Sequence, residues 1–478
     1  MLLSTSGSDM MKIPNLKEAA KRTKGAVCTA NFELPDSLNE LGLNKRFFIR
    51  TYGCQMNIHD SEKIKAILES MSFKETETMG EADLIIINTC AIRENAHDKV
   101  FGFLGRVKHL KSKKPSLVTV VCGCMAQEEV VVEVIMNKYT WINLVFGTHN
   151  IHRLPFLLEK VFCNENQEIE VLSIEGDIIE KMPVKRDSKY KAWVNIMLGC
   201  DKFCTYCIVP YVRGKQRSRS PKDIIEEVET LLKEGYQEVT LLGQNVNAYG
   251  KDLNNDYAMG DLLEDIAKTG MPRIRFMTSH PWDFNDKMIA AIKNNDNVMP
   301  AVHLPIQSGS NRILKLMGRR YTKESYIELV KTLKAEIPNL ALTTDIIVGF
   351  PSETEDDFKE SVNIVHQCKY DSAFTFLFSP RDGTPAAKME DNLTLEEKNK
   401  RLYYLNDIVN GYANDNNQKY KDTVVQVLIE GKGAKRKLMG YTETMKLVNV
   451  DGDESNIGKI VPVVITEVKT WSMNGKIL

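Results

Sequence analysis

The stretch AWVNIMLGCDKFCTYC, residues 192–207, joins a short β-rich apolar run to Cys200, Cys204 and Cys207, three cysteines within eight positions. Thiolates at this C-x3-C-x2-C spacing can wrap one corner of an iron–sulfur cluster and leave one iron without a protein ligand. An open coordination position is where a metal does chemistry, whereas closed sites are mostly structural. The alternative is a zinc knuckle, which wants a fourth Cys or His, and the next histidine downstream is His280.

Outward from that stretch, apolar runs alternate with helical segments. EVTLLG (238–243), RIRFMT (273–278), AVHLPI (301–306), ALTTDIIVGF (341–350) and AFTFLFS (373–379) follow the first run, with helical stretches such as 221–234, 261–269 and 355–367 between them. Six βα units predict an open, partial (β/α)6 barrel over 191–412, whose chemistry sits at the carboxyl ends of its strands. A similar alternation over 45–163, with FFIR, LIIIN (84–88), LVTVVC (117–122) and NLVFG (143–147), predicts a parallel α/β domain. Residues 1–44 read as a loosely held extension, 164–190 as a polar linker, and 394–412 as a last charged helix. Beyond it, 413–478 alternates in short strands with Gly, Asn and Asp turns, the pattern of a small antiparallel β-barrel.

Three further cysteines are far apart yet placed alike: Cys54 in TYGCQMN, Cys90 in INTCAIRE and Cys124 in VCGCMAQE. Each follows a predicted strand by a few residues, so in a parallel sheet all three would emerge on the same carboxyl edge. That predicts a second cluster with a second open iron. Read singly, each could equally be a small buried apolar residue. Cys122 competes with Cys124; Cys124 is preferred because it lies past the strand and after Gly123. Cys28, Cys163 and Cys368 fall outside both sets, and the last two read as ordinary apolar residues on helices.

The C-x3-C-x-aromatic-C motif after the first barrel strand, with Tyr206 as the aromatic, resembles the radical S-adenosylmethionine (SAM) superfamily. The three-domain order and the wording TYGCQMN, NTCAIRENA, GCDKFCTYCIVPYVRGKQRSRS and FSPRDGTPA resemble, over about 45–478, the methylthiotransferases of that superfamily, closest to the bacterial branch that acts on tRNA. The resemblance implies two [4Fe-4S] clusters, one on Cys200, Cys204 and Cys207 and an auxiliary one on Cys54, Cys90 and Cys124. SAM would be both radical source and methyl donor. Segments LLGQNVNAYG (241–250), HLPIQSGS (303–310) and TTDIIVGFPSE (343–353) match SAM-contacting positions, which makes Tyr206, Gln244, Asn245, Gln307, Ser308 and Asp345 cofactor-binding candidates. The implied reaction adds a methylthio group to C2 of N6-dimethylallyladenosine at position 37 of the anticodon loop. It needs an electron donor such as flavodoxin or ferredoxin and a sulfur source that the resemblance does not name. Its rivals are methylthiolation of threonylcarbamoyl-adenosine in tRNA or of a ribosomal-protein aspartate, and an RNA-binding protein with structural or redox-sensing clusters.

The whole chain of 478 residues carries 63 basic and 64 acidic side chains, a formal charge of -1, so an RNA partner must be met by local patches. Two runs qualify: RGKQRSRS, with Arg213, Lys215, Arg217 and Arg219, and KGAKRK, with Lys432, Lys435, Arg436 and Lys437. The tail implied by the resemblance is an RNA-binding TRAM domain, yet residues 415–478 hold ten basic against eight acidic residues, a net of only +2. No apolar run has the length of a membrane span and no secretory signal opens the chain, so the cytoplasm is the expected location.

Overall fold

The structure is a computed structural model that describes residues 13–21, 29–91, 94–163, 167–174, 176–253, 256–433 and 437–478. The chain forms two compact units. The first comprises residues up to Asp187 together with 199–201 and 208–217; the second holds 188–198, 202–207 and 218–478.

In the first unit the strands are β1 (Arg46–Thr51), β2 (Lys74–Glu75), β3 (Leu84–Thr89), β4 (Val118–Gly123), β5 (Leu144–Phe146) and β6 (Glu168–Glu170), all parallel, in the order β2-β1-β3-β4-β5-β6. Every residue of β3 and β4 is buried, because helices cover both faces of the sheet. Leu84 and Ile86 pack with α1 (Gln55–Ser70) and α4 (Leu154–Cys163). Ile85 and Ile87 turn the other way, onto α2 (Glu94–Lys113) and α3 (Glu129–Lys138). Each such aliphatic side chain contributes roughly 1.5–3 kcal/mol on burial.

Two expectations need correction. The stretch 164–190 is not a free linker: its backbone supplies β6, and Ile169 and Val171 are buried against the sheet. Nor is the described part of 1–44 loosely held. Thr29–Asn31 pairs in parallel with Ile178–Glu180, Leu38 is buried, and Phe32, Leu34 and Leu41 pack on the core. Both segments carry apolar residues at intervals too irregular to show a period, and only packing reveals their use.

In the second unit, β7 (Lys191–Asn195), β8 (Glu238–Leu242) and β9 (Arg273–Phe276) form one parallel sheet, and β10 (Ala301–His303), β11 (Ala341–Val348) and β12 (Ser372–Leu377) another. They join where Ile274 N donates to the Asn297 carbonyl and Met299 N donates to that of Ile274, so the six strands follow one another in sequence order as in a partial barrel. Pro300 comes next and has no N–H to continue the ladder. Helices α5 (Pro221–Lys233), α6 (Met259–Lys268), α7 (Asp286–Asn294), α8 (Lys323–Glu336) and α9 (Glu355–Cys368) pack outside. Cys368 is buried in this core, as expected, whereas Cys163 ends α4 exposed.

Helix α10 (Leu395–Gln418) runs past the expected end at 412. Its last turn is pinned by Asn417, whose Nδ2 donates to the carbonyls of Lys469 and Thr470. Strands β13 (Val424–Lys432), β14 (Leu438–Thr442), β15 (Leu447–Asp451), β16 (Ile460–Val468) and β17 (Met473–Ile477) then close a barrel in the order β13-β14-β15-β17-β16. Its pairings are antiparallel except β15 with β17, which is parallel. Two buried arginines of β9 hold it. Arg273 donates to the Tyr441 and Gln426 carbonyls, and Arg275 to those of Glu443 and Thr442 and to Glu238. Five donors in a rigid fork are what such carbonyl-rich docking needs.

Candidate functional site

The order β2-β1-β3 reverses the direction of winding between β1 and β3, the switch point at which open α/β sheets bind ligands beyond their strand ends. Cys54 follows β1 as the N-cap of α1, Cys90 follows β3, and Cys124 follows β4. The β3–β4 register pairs Thr89 with Gly123, so Cys90 and Cys124 leave adjacent strands at the same level. Gly123 has φ +95, and a Cβ there would lie 2.4 Å from Asn88 Oδ1 and from the Thr89 carbonyl, so the turn into Cys124 requires glycine.

One buried side chain ties the three loops together. Asn57 Oδ1 accepts from Cys54 N at 3.2 Å, while its Nδ2 donates to the Thr89 carbonyl at 3.0 Å and lies 3.9 Å from Cys124 Sγ. Arg213 enters the same site. Its Nε donates to Cys124 Sγ at 3.1 Å and its Nη2 to Asp60 at 2.7 Å, with both charged groups buried. Burial pushes the Cys124 thiol up to about 12; the Arg213 guanidinium opposes this, and Cys90, Cys54 and Asp60 add to it. Metal binding to thiolates offsets that cost of deprotonation. Cys122, by contrast, sits in the apolar core of the sheet, which separates it from its neighbour Cys124.

Within the barrel motif, Gly199 at φ +70 precedes Cys200, whose N–H donates to the Gly214 carbonyl. In the second unit, Cys207 N donates to the Cys204 carbonyl, and Thr205 between them is fixed by the Met317 and Leu316 carbonyls. Buried Arg319 directs Nη1 to Cys204 Sγ at 3.6 Å, Nη2 to the Pro305 carbonyl and Nε to Tyr321. Among the described residues the cysteines are unbridged, and no group of three or more His, Cys, Asp or Glu is set to hold a single metal ion. By donor type alone, cysteines without a histidine suit an iron–sulfur cluster, which would have to draw the thiolates together as it binds.

The other candidates separate. Tyr206 packs among Ile313, Met317 and Phe350. Ser308 is fully buried, within reach of Ser361 and the Ser310 N–H, which gives it a structural task. Asp345 pairs with His303, and Gln307, at φ 72, bridges its backbone to β11. Gln244 is half-buried, and Asn245 donates to Asp283 but keeps a buried Oδ1 without a protein partner. The same is true of Asn247 Oδ1, Ser279 Oγ and both amide atoms of Asn195, at the carboxyl ends of β7, β8 and β9. Buried polar atoms are rarely left so, and a polar cofactor would satisfy them.

The basic runs fare differently. Arg213 is buried on Asp60, and Arg217 is buried with its guanidinium donating to the Gly176 carbonyl, so neither faces solvent to meet a phosphate. Arg219 is largely taken up by the Asn195 carbonyl and Glu227; Lys215 is half-buried. Lys432 and Lys437 lie on the surface beside Glu454 and Asp451, while Lys435 and Arg436 lie outside the described residues. The sequence reading missed Asn57, Asp60, Arg319, Asn195 and Ser279. For the first two a signal existed: α1 opens QMNIHDSE, with no apolar face in its first two turns.

Family models match along the chain: the Radical SAM superfamily at 194–365, the Uncharacterized protein family UPF0004 at 46–147 and the TRAM domain at 418–478. Among solved structures, the radical SAM methyltransferase TsrM from Kitasatospora setae aligns at TM-score 0.53 and 13% identity, covering 72% of this chain and 74% of that one, a likeness of fold. The chain is 54% identical to the tRNA-2-methylthio-N(6)-dimethylallyladenosine synthase of Staphylococcus epidermidis, over 97% of this chain and 91% of the relative. The synthase of the same name from Halalkalibacterium halodurans is 53% identical, over 97% and 87%. With that identity sustained through both cysteine-bearing units and the closing barrel, the chain belongs to the radical SAM family of tRNA-2-methylthio-N(6)-dimethylallyladenosine synthases.

Proposed function

We propose that this protein adds a methylthio group to C2 of N6-dimethylallyladenosine at position 37 of tRNA. The observation that carries this reading is the identity of more than half the residues with synthases of that name across nearly the whole chain. Adenine C2 bears a hydrogen that is not acidic, so proton transfer alone cannot replace it. The two [4Fe-4S] clusters and SAM, when bound, supply the one-electron and sulfur-transfer chemistry, and the protein supplies binding, orientation and water exclusion.

Cys54, Cys90 and Cys124 would hold one cluster, and Cys200, Cys204 and Cys207 the other. Asn57 keeps the first three ligand loops in register, and Arg319 does comparable work at Cys204. Asn195, Asn245, Asn247 and Ser279 offer unmatched donors and acceptors to the polar groups of SAM. The modified adenine must be unstacked to be reached, as in single-stranded loop recognition. The closed C-terminal barrel would contribute RNA backbone contacts through Lys432 and Lys437, and Lys215 would be a candidate contact of the first unit. Flavodoxin or ferredoxin would deliver the electron, in the cytoplasm; no helix among the described residues is long and apolar enough to cross a membrane.

Mass spectrometry of tRNA from cells lacking the gene tests the substrate. Loss of 2-methylthio from the dimethylallyl nucleoside is expected; its retention, with loss from threonylcarbamoyl-adenosine, would overturn the assignment. Anaerobic incubation of the loaded protein with SAM and dithionite should release 5′-deoxyadenosine, and none would be formed if the clusters were only structural.

A further inference from the structure

We propose that Arg213 is a positioning residue that sets the reduction potential of the cluster held by Cys54, Cys90 and Cys124, with Asp60 as its counterweight. The inference rests on the reading of those three cysteines as cluster ligands. Sequence alone assigns Arg213 to a basic run of surface character, yet the side chain is only 6% exposed and makes no approach to solvent that a phosphate could use. Its Nε donates to a ligand sulfur, 3.1 Å from Cys124 Sγ, and Nη2 donates to Asp60 at 2.7 Å.

The two contacts have opposite electrostatic effects. A cation donating to a ligand sulfur withdraws charge and favours the more negative, reduced cluster, which raises the potential. Asp60, 4% exposed, neutralises the guanidinium through Nη2 and makes its burial affordable. Because Arg213, Asp60 and Cys124 are all buried, neither effect is screened as it would be at the surface. The guanidinium is nearer the sulfur than the carboxylate that balances it, so the pair as a whole holds the potential up. Its placement also has a local cause: Ile208 and Val212, on the turn that leads to Arg213, are buried with Ala91 and Cys124.

The test uses the full chain with C200A/C204A/C207A, reconstituted with iron and sulfide, so that only the sheet-edge site can bind. Iron per chain and the midpoint potential, followed by electron paramagnetic resonance, are measured in this parent, in Asp60→Asn and in Arg213→Met/Asp60→Asn. The double change removes both charges, so no uncompensated ion is left buried. About four irons are expected in each. The potential should rise in Asp60→Asn, where the guanidinium is no longer balanced, and fall below the parent in the double variant. Equal potentials at equal iron content would overturn the proposal, as would loss of iron from the double variant alone, which would make Arg213 an assembly residue. A parent without iron would instead overturn the three-cysteine reading on which the proposal stands.

Discussion

The Asn57 side-chain amide donates to the Thr89 carbonyl at 3.0 Å, one residue before Cys90, while its oxygen accepts from the backbone of Cys54. A single side chain thus ties the loops that carry two cysteines 36 positions apart. Partners of this kind, one step out from a metal, typically change metal affinity 10–100-fold when removed. Asn57→Ala should lower iron retained at the sheet-edge site under chelator challenge by about that factor. Asn57→Asp, which keeps the acceptor but loses the donor, should fall between. Equal iron loss from wild type and Asn57→Ala would refute the role.

Replacing Cys54, Cys90 and Cys124 together with Ala should halve the iron of the fully loaded protein, abolish methylthiolation and leave SAM cleavage in place. Iron quantification and product chromatography decide the matter: undiminished iron would mean that these cysteines hold no cluster. Replacing Cys122 alone should leave iron content unchanged, since it packs within the sheet.

Glu62 provides a pH signature. Burial raises its carboxyl to about 7, against the ordinary 4.5, partly offset by the Asp187 N–H and by Arg186. A raised carboxyl pKa means that the folded state favours the proton, so folding stability should decline as pH rises from about 4.5 towards 7 and stay low above it. The cost is on the order of 1–3 kcal/mol. Glu62→Gln keeps the shape without the charge and should remove that decline. Thermal unfolding of the two proteins should give midpoints that coincide below about 4.5, diverge between there and about 7, and stay apart above it, the variant being the more stable. Parallel curves would exclude the effect.

Arg275 links β9 to the C-terminal barrel and neutralises Glu238 at 2.8 Å. Arg275→Ala leaves that carboxylate buried without its main partner, a loss of about 3–5 kcal/mol. Arg275→Ala/Glu238→Gln should recover much of it while still lacking the carbonyl contacts to Thr442 and Glu443. Limited proteolysis near the end of α10 should accelerate in both variants; unchanged cleavage would show that the barrel docks without Arg275.

The proposed barrel centre could be read from sequence because its candidate ligands are local: three cysteines within eight residues constrain one another whatever the rest of the chain does. The strand ends bearing Cys54, Cys90 and Cys124 were legible for a related reason, since a parallel sheet puts all its carboxyl ends on one edge. Other features depended on burial, which no local pattern reports. Arg213 and Arg217 stand in a run of cations that reads as surface, and the fold buries both. The polar segment 164–190 reads as a tether, and the backbone of Glu168–Glu170 completes a sheet. Residue types and spacing by themselves determined the chemistry this chain can hold. Tertiary structure alone decided which charges stay in water and which are turned onto a sulfur or a carbonyl, because desolvation depends on neighbours distant in sequence.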